Sequence, residues 1–149
     1  MRGVERPRPI GVDHLGLSVT DLMKSTAFYC EILGGDVLFG PHDADSYRGT
    51  VIKVGSHLID INHISGNDRG GFDAARTGLD HLAFTAASRE ALDDWARLLD
   101  ANNVARSAIR SIPGPIDGAM FDFVGPDGIQ LEFVFVNSEI LPRVVLEEG

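Results

Sequence analysis

A nearly repeated segment constrains the fold of this chain more than any other feature of its sequence. Residues 11–18 read GVDHLGLS and residues 78–85 read GLDHLAFT, so similar residues surround His14 and His81. In both segments large apolar residues alternate with histidine or small residues, which is the pattern of a β-strand with one packed face. The repeat predicts two similar modules, each opening with a strand whose histidine lies on the less bulky face.

Both modules are predicted to continue in the same order, with a helix and then three more strands. Thr20 and Asp21 in the first module and Ser88 in the second are N-cap candidates before apolar residues at helical spacing, and Gly34 and Asn102 mark where the two helices end. The predicted organisation is a lead-in at residues 1–10, one domain at 11–136 with modules 11–66 and 78–136 joined by a glycine-rich connection, and a tail at 137–149. Further strands are predicted at residues 36–39, 47–54, 58–62, 104–109, 119–124 and 129–136.

The composition limits the class of protein and its partners. The chain has 149 residues, of which 44% are hydrophobic and 23% charged, and this balance is typical of one globular domain with a substantial core. No apolar run reaches the roughly 18 to 20 residues of a membrane span, and residues 1–7 lack the apolar core of a signal peptide. We therefore expect a cytoplasmic protein without a membrane partner. The net charge of −9 argues against nucleic acid and favours a small-molecule partner.

The last predicted strand of each module adds a carboxylate. Glu132 lies on the face opposite to four bulky residues, Ile129, Leu131, Phe133 and Phe135. An ionised carboxylate on such an apolar strand is costly to bury unless a positive group meets it. Asp60 takes the equivalent place in the first module, so each module offers one histidine and one carboxylate on the face turned away from the packed side. Nitrogen and oxygen donors of this kind suit Fe(II), Mn(II), Ni(II), Co(II) or Zn(II).

Other polar side chains are candidates for contact with a substrate. Alternation places Asn62 and Asp122 on the same faces as the carboxylates, where we expect them to hydrogen-bond a ligand or a metal-bound water. Tyr47, Arg48 and Arg110 are predicted to meet an anionic group of the substrate. Three further histidines are expected outside the site, two of them in solvated turns: His63, His42 and His57. The single cysteine, Cys30, excludes an internal disulfide and is interpreted as a packing residue.

Four motifs resemble those of the vicinal oxygen chelate superfamily, which includes glyoxalase I, extradiol ring-cleaving dioxygenases, fosfomycin-modifying transferases, methylmalonyl-CoA epimerase and bleomycin-binding proteins. They are Asp13-His14-Leu15, Ala27-Phe28-Tyr29, Asp80-His81-Leu82, and GPDGIQLE at residues 125–132, which resembles the D-P-D-G-x-x-x-E ending of that superfamily. The resemblance covers residues 11–136. It implies an α+β fold in which two βαβββ modules form a cupped, partly closed mixed β-sheet with the helices outside.

The resemblance also implies a ligand set. It makes His14, His81 and Glu132 the ligands of one divalent metal ion, which is Fe, Mn, Ni, Co or Zn. Asp60 falls where glyoxalase I has a glutamate, so it is interpreted as a fourth ligand, as a ligand through water, or as a base beside the metal. The resemblance further implies a homodimer, in which the ligands of one site come from one chain or from two.

The function expected first is that of a metal-dependent glyoxalase-like enzyme, a lyase or isomerase acting on a small oxygenated substrate. The metal would stabilise an oxyanion, and Glu132 or Asp60 would transfer a proton. One alternative is an Fe(II)-dependent extradiol-type ring-cleaving dioxygenase. Another is a metal-free small-molecule binding protein, as in bleomycin resistance.

Overall fold

The computed structural model describes residues 8–67 and 70–137 of the chain. Parts of three predicted segments lie outside the described residues: residues 1–7 of the lead-in, residues 68 and 69 of the connection, and residues 138–149 of the tail. The chain divides into two compact units, residues 1–68 and 69–149. Each unit has its own sheet and helix.

The first unit follows the predicted order of strand, helix and three strands. Its sheet has the strand order β1-β4-β3-β2, in which β1 and β4 are parallel and the other two pairings are antiparallel. The first and last strands of the unit are therefore neighbours. The elements are β1 (His14–Ser18), α1 (Leu22–Glu31), β2 (Asp36–Asp43), β3 (Tyr47–Val54) and β4 (His57–Ile64).

The second unit repeats this topology. Its sheet has the order β5-β8-β7-β6, again with the first and last strands parallel. Its elements are β5 (Leu82–Thr85), α2 (Arg89–Ala101), β6 (Arg110–Ser111), β7 (Gly118–Val124) and β8 (Gln130–Val136), with a 3-10 turn at Pro126–Gly128. Two four-stranded mixed sheets with two helices confirm the predicted α+β class and the βαβββ order. No helix in the described ranges is long and apolar enough to cross a membrane.

The helix starts confirm Ser88 as an N-cap and select Asp21 over Thr20 in the first unit. The carboxylate of Asp21 accepts a hydrogen bond from the Lys24 backbone N–H at 3.0 Å, and the hydroxyl of Ser88 accepts one from the Ala91 N–H at 3.1 Å. Each cap satisfies a backbone donor that has no partner inside the helix. The caps fix where each chain segment turns from its first strand into its helix.

Each sheet is packed on one face, as the alternation predicted. In the first unit Leu17, Ile59 and Ile61 are buried, and so is Tyr29 of α1. In the second unit Trp95 of α2 stacks on a phenylalanine of β8 with ring centroids 4.3 Å apart. The buried residues on the strands of that unit are Phe121, Phe123, Leu131 and Phe133. The alternate residues are left on the opposite faces, which carry the candidate site residues.

Strand β2 is longer than predicted. It was expected to end at residue 39, with residues 42–46 in a polar turn, but it runs to Asp43. The register shifts on both sides of Phe39, after which pairing resumes with His42 opposite Gly49. Because β2 is the edge strand of its sheet, Pro41 removes no donor that a further strand would need.

The strand predicted at residues 104–109 is wrong in position. This segment makes only an isolated bridge between Arg106 and Phe123, and β6 begins at Arg110. The reason is a competing hydrogen bond, since the Ser107 hydroxyl accepts from the Asp122 backbone N–H at 3.0 Å. A side chain therefore takes a position that a strand backbone would otherwise fill.

Candidate functional site

Each unit brings its histidine and its carboxylate close together. In the first unit Asp60 pairs with Gly16, two residues after His14. In the second unit Glu132 pairs with Ala83, two residues after His81. The two carboxylates thus take the same register position in their sheets, as their spacing from the histidines predicted. We call His14 with Asp60 the first half-site and His81 with Glu132 the second half-site.

In the first half-site two hydrogen-bond acceptors face each other. Nε2 of His14 lies 3.6 Å from Oδ2 of Asp60, while Nδ1 of His14 donates to Oδ1 of Asp13 at 2.8 Å. The pKa of His14 is raised by the hydrogen bond to Asp13 and by the negative charge of Asp60. The side chains of His14 and Asp60 are 51% and 31% exposed, so a ligand can reach both.

In the second half-site a carboxylate is buried. Glu132 is 6% exposed, although it belongs to the polar face of β8. Burial raises the pKa of Glu132, the nearby His81 and Arg110 oppose that shift, and Asp122 adds to it. Nδ1 of His81 donates to Oδ2 of Asp80 at 2.8 Å. A cation bound here would offset the cost of keeping this carboxylate out of water.

A hydrogen-bonded network stands beside Glu132. Asp122 is its cross-strand partner on β7, and Oδ2 of Asp122 lies 2.6 Å from Nη2 of Arg110. Nη1 of the same arginine donates to the Ser107 hydroxyl at 3.0 Å. The network brings two predicted substrate contacts, Asp122 and Arg110, to the second half-site. Arg110 contacts both Asp122 and Ser107 and so holds the Asp122 side chain in place.

The face of the first half-site continues along β4 and β3 toward Tyr47. Asn62 pairs with Gly49, and a Cβ atom at Gly49 would collide with the amide oxygen of Asn62 and lie 3.2 Å from the Tyr47 ring. The Tyr47 hydroxyl lies 3.4 Å from Nε2 of His42. Asn62 and Tyr47 therefore lie on one surface, as the alternation predicted.

Two expectations about this face differ from the structure. His42 was expected in a solvated turn, but it lies in β2 with its ring centroid 4.8 Å from that of Phe39, and its Nδ1 atom is buried. Arg48 pairs with His63 on the opposite face of β3 from Tyr47 and forms an ion pair with Asp43 at 3.5 Å. The structure does not bring Arg48 to the half-site face.

Sequence reasoning missed Asp13 and Asp80 as site residues. Both contact the Nδ1 atom of the histidine that follows them. The signal was present, because the dipeptide Asp-His occurs in both copies of the repeat. Within a strand, neighbouring residues point to opposite faces, so alternation places an aspartate away from the histidine that follows it. Asp13 and Asp80 lie before β1 and β5, where alternation does not apply.

The donor set fits a divalent metal ion. Each half-site supplies an imidazole nitrogen and carboxylate oxygens, which suit the first-row metals and zinc. Among residues 8–67 and 70–137, no group of three or more histidine, cysteine, aspartate or glutamate side chains is gathered closely enough to hold a metal ion. Each half-site by itself is thus a two-residue donor pair.

The chain is similar in sequence to a known family and to known proteins. A model of the Glyoxalase/Bleomycin resistance protein/Dioxygenase superfamily matches residues 11–133. The chain is 30% identical over 123 residues to the uncharacterized protein YaeR of Escherichia coli (strain K12), covering 81% of this chain and 92% of that protein. It is 29% identical over 94 residues to the metallothiol transferase FosB of Staphylococcus haemolyticus, covering 63% of this chain and 61% of that protein.

A solved structure is similar to this chain in both fold and sequence. The crystal structure of a glyoxylase/bleomycin resistance protein/dioxygenase domain from Frankia sp. EAN1pec is 28% identical to this chain and superposes with a TM-score of 0.79. The match covers 87% of this chain and 100% of the Frankia chain. Together with the family match over residues 11–133, it confirms the resemblance indicated by the sequence motifs. The chain belongs to the Glyoxalase/Bleomycin resistance protein/Dioxygenase superfamily.

Proposed function

We propose that this chain is a metal-dependent enzyme of the glyoxalase type that acts on a small oxygenated substrate. His14, His81 and Glu132 are the proposed ligands of one divalent ion, with Asp60 as a fourth ligand or as a base beside it. The observation that carries the proposal is the buried carboxylate of Glu132, which is 6% exposed and stands next to a second carboxylate, Asp122. A buried carboxylate with a second carboxylate beside it favours a bound cation, even though Asp122 itself is paired with Arg110.

The first half-site supports the same proposal. When Nδ1 of His14 donates to Asp13, Nε2 carries a lone pair and faces the carboxylate of Asp60 at 3.6 Å. A cation that contacts both acceptors is attracted to each of them, so this arrangement favours cation binding. A bound metal ion supplies Lewis-acid stabilisation to negative charge that develops on a substrate oxygen.

The chain's own carboxylates differ in how well they are placed to move a proton. The side chain of Asp60 is 31% exposed and lies beside an imidazole, whereas Glu132 is almost fully buried. A general base must come within hydrogen-bond reach of the substrate, which an accessible carboxylate can do more easily than a buried one. We therefore assign proton transfer to Asp60 and the holding of the ion to Glu132.

The remaining polar residues bind and orient the substrate. The amide of Asn62 and the hydroxyl of Tyr47 lie on the face that carries Asp60, and both can hydrogen-bond oxygen atoms of a small molecule. On the second half-site Arg110 keeps Asp122 in place through an ion pair of 2.6 Å. Arg48 lies on the opposite face of β3, where it pairs with Asp43, and is not part of this proposal.

The first test is a metal-binding measurement on chelator-treated protein. Isothermal titration with Mn(II), Fe(II) under anaerobic conditions, Co(II), Ni(II) and Zn(II) should show one ion bound per chain in the unmutated protein. Alanine at His14, His81 or Glu132 should abolish tight binding of every ion. His57→Ala is the matched control, because the His57 side chain is exposed, lies at the start of β4 with its Nδ1 atom 3.1 Å from the Ser56 hydroxyl, and should leave binding unchanged.

The result separates this proposal from its alternatives. Tight, selective binding of Fe(II), with oxygen uptake in the presence of a catechol, would favour a ring-cleaving dioxygenase over a glyoxalase-type enzyme. Absence of binding for all five ions in the unmutated protein would overturn the metal-dependent enzyme and leave a small-molecule binding protein.

We propose further that the protein is a cytoplasmic homodimer, and the origin of its ligands can be tested by mixing variants. His14→Ala and Glu132→Ala each remove one ligand from a different half-site. If one site takes ligands from two chains, refolding the two variants together creates dimers with one intact site, and metal binding returns. If all ligands come from one chain, no mixture restores binding. Sedimentation analysis of the unmutated protein tests the dimer itself.

A further inference from the structure

The histidines of the two half-sites share a contact that the ligand assignment does not use. Nδ1 of His14 lies 2.8 Å from a carboxylate oxygen of Asp13, and Nδ1 of His81 lies 2.8 Å from a carboxylate oxygen of Asp80. The contact recurs in both units between residues of the same type at the same sequence separation. A chance contact between exposed neighbours would have no reason to recur with the same atoms.

The chemistry of these contacts selects one form of the imidazole. A carboxylate only accepts hydrogen bonds, so Nδ1 must carry the proton for the contact to form. A neutral imidazole with its proton on Nδ1 has a lone pair on Nε2. In the first half-site that lone pair faces Oδ2 of Asp60 at 3.6 Å. In the other tautomer Nε2 would carry the proton, and the carboxylate of Asp60 would attract it.

Asp13 and Asp60 therefore compete for the proton of His14. The distance favours Asp13, at 2.8 Å against 3.6 Å for Asp60, and only the shorter contact is a hydrogen bond. Without Asp13, the proton would move to Nε2 and point at Asp60, and Nε2 would then be unable to bind a cation. For His81 the selection rests on Asp80, through the contact of 2.8 Å between the carboxylate and Nδ1.

We propose that Asp13 and Asp80 are positioning residues that hold the two histidines in the Nδ1–H form and keep the lone pair of each Nε2 directed at a cation. The effect on metal binding rests on the proposed function, whereas the effect on the imidazoles does not. The side chains of Asp13 and Asp80 are 87% and 71% exposed, so their substitution leaves the cores of both units untouched.

The direct test is the position of the ring proton in the metal-free protein. Long-range proton–nitrogen NMR spectra of full-length protein labelled with ¹⁵N-histidine distinguish the two tautomers at a pH where the imidazoles are neutral. We expect Nδ1–H for both His14 and His81. Nε2–H as the main form of either histidine would overturn the inference. His57 is the internal reference, because its neighbour Ser56 can donate as well as accept and so imposes no tautomer.

Variants then assign the effect to each aspartate. Asp13→Ala should move His14 to Nε2–H and leave His81 unchanged, and Asp80→Ala should do the reverse. Asp13→Asn should retain Nδ1–H, since its amide oxygen still accepts a hydrogen bond. Asp94→Ala removes the same charge from α2, where Asp94 pairs with Arg97, and should change neither histidine. An unchanged tautomer of His14 in Asp13→Ala would contradict the proposal.

Metal affinity gives the second readout. Titration with Co(II) should show about a 10-fold to 100-fold loss of affinity in either alanine variant, which is the usual effect of removing a group that orients a ligand histidine. Asp13→Asn should recover most of that loss. If the unmutated protein binds no ion, the proposed function fails, and the NMR result still decides whether the aspartates set the tautomers. Full affinity in both alanine variants would overturn the positioning role.

Discussion

At the scale of single residues, Glu132 is a proposed metal ligand whose burial as a carboxylate lowers the free energy of unfolding. It is almost fully buried on a strand that otherwise packs with phenylalanine and leucine. In metal-free protein we expect Glu132→Gln to raise the free energy of unfolding by on the order of 1 kcal/mol, because a neutral amide is cheaper to bury than a carboxylate. Urea denaturation of the chelator-treated proteins measures the difference. A less stable variant would show that Glu132 already has an adequate partner.

Cys30 offers a second prediction at this scale. Burial raises the pKa of its thiol, and the charges of Asp36 and Glu31 raise it further. A raised pKa means less thiolate near neutral pH, so alkylation by iodoacetamide should be slower than for a free cysteine and should accelerate only at higher pH. Asp36→Asn should lower the pKa and speed the reaction, while Asp94→Asn on α2 should not. Alkylation at the rate of free cysteine would contradict the interpretation of Cys30 as a packing residue.

How far single residues could be predicted depended on whether they lie in strands. Asp60 and Glu132 needed only alternation and the spacing from the histidines, and both register positions agree with the sequence. Asp13 and Asp80 could not be found that way, because they precede their strands and their contacts depend on backbone angles that alternation does not describe. The metal-binding roles of the four ligand candidates stay predictions.

At the scale of elements, Gly49 leaves the space on β3 that the Asn62 side chain of β4 occupies. A methyl group there would collide with the amide oxygen of Asn62 and crowd the Tyr47 ring. Gly49→Ala should therefore destabilise the protein by about 1 to 3 kcal/mol, as overpacking does. Gly16→Ala is the matched control, because Gly16 lies on the neighbouring face position of β1 with open space around it. Thermal unfolding of both variants makes the comparison, and equal loss in the two would argue against the collision.

The boundaries of elements were predicted best where one physical signal decides them. Asp21 and Ser88 begin their helices as predicted, because a side-chain oxygen at that point satisfies a backbone donor. The position of β6 was wrong, because the Asp122 N–H donates to the Ser107 hydroxyl and not to its carbonyl, although the Ser107 N–H still donates to the Asp122 carbonyl at 2.8 Å. Such a contact leaves no trace in the hydrophobic pattern that predicts strands.

At the scale of the whole molecule, the repeat is the most informative feature. Two copies of one sequence pattern gave two sheets with the same strand order, because the same alternation and the same helix caps were used twice. One chemical difference between the two copies lies opposite the carboxylate, where Asp122 faces Glu132 in the second sheet and Val51 faces Asp60 in the first. The second half-site therefore has an ion pair of Asp122 and Arg110 beside its carboxylate, which the repeat alone did not predict.

The proposed ligand set takes residues from both units, and this has a measurable consequence. A ligand that binds only the folded state stabilises every part whose unfolding would destroy its site, by about 2.7 kcal/mol at a concentration one hundred times its Kd. Addition of the preferred metal should therefore slow amide hydrogen exchange in β1 and β4 and also in β5 and β8. The Glu132→Ala variant should lose both effects together. Protection confined to one unit would mean that the metal is held by one half-site alone, and the ligand set of His14, His81 and Glu132 would have to be abandoned.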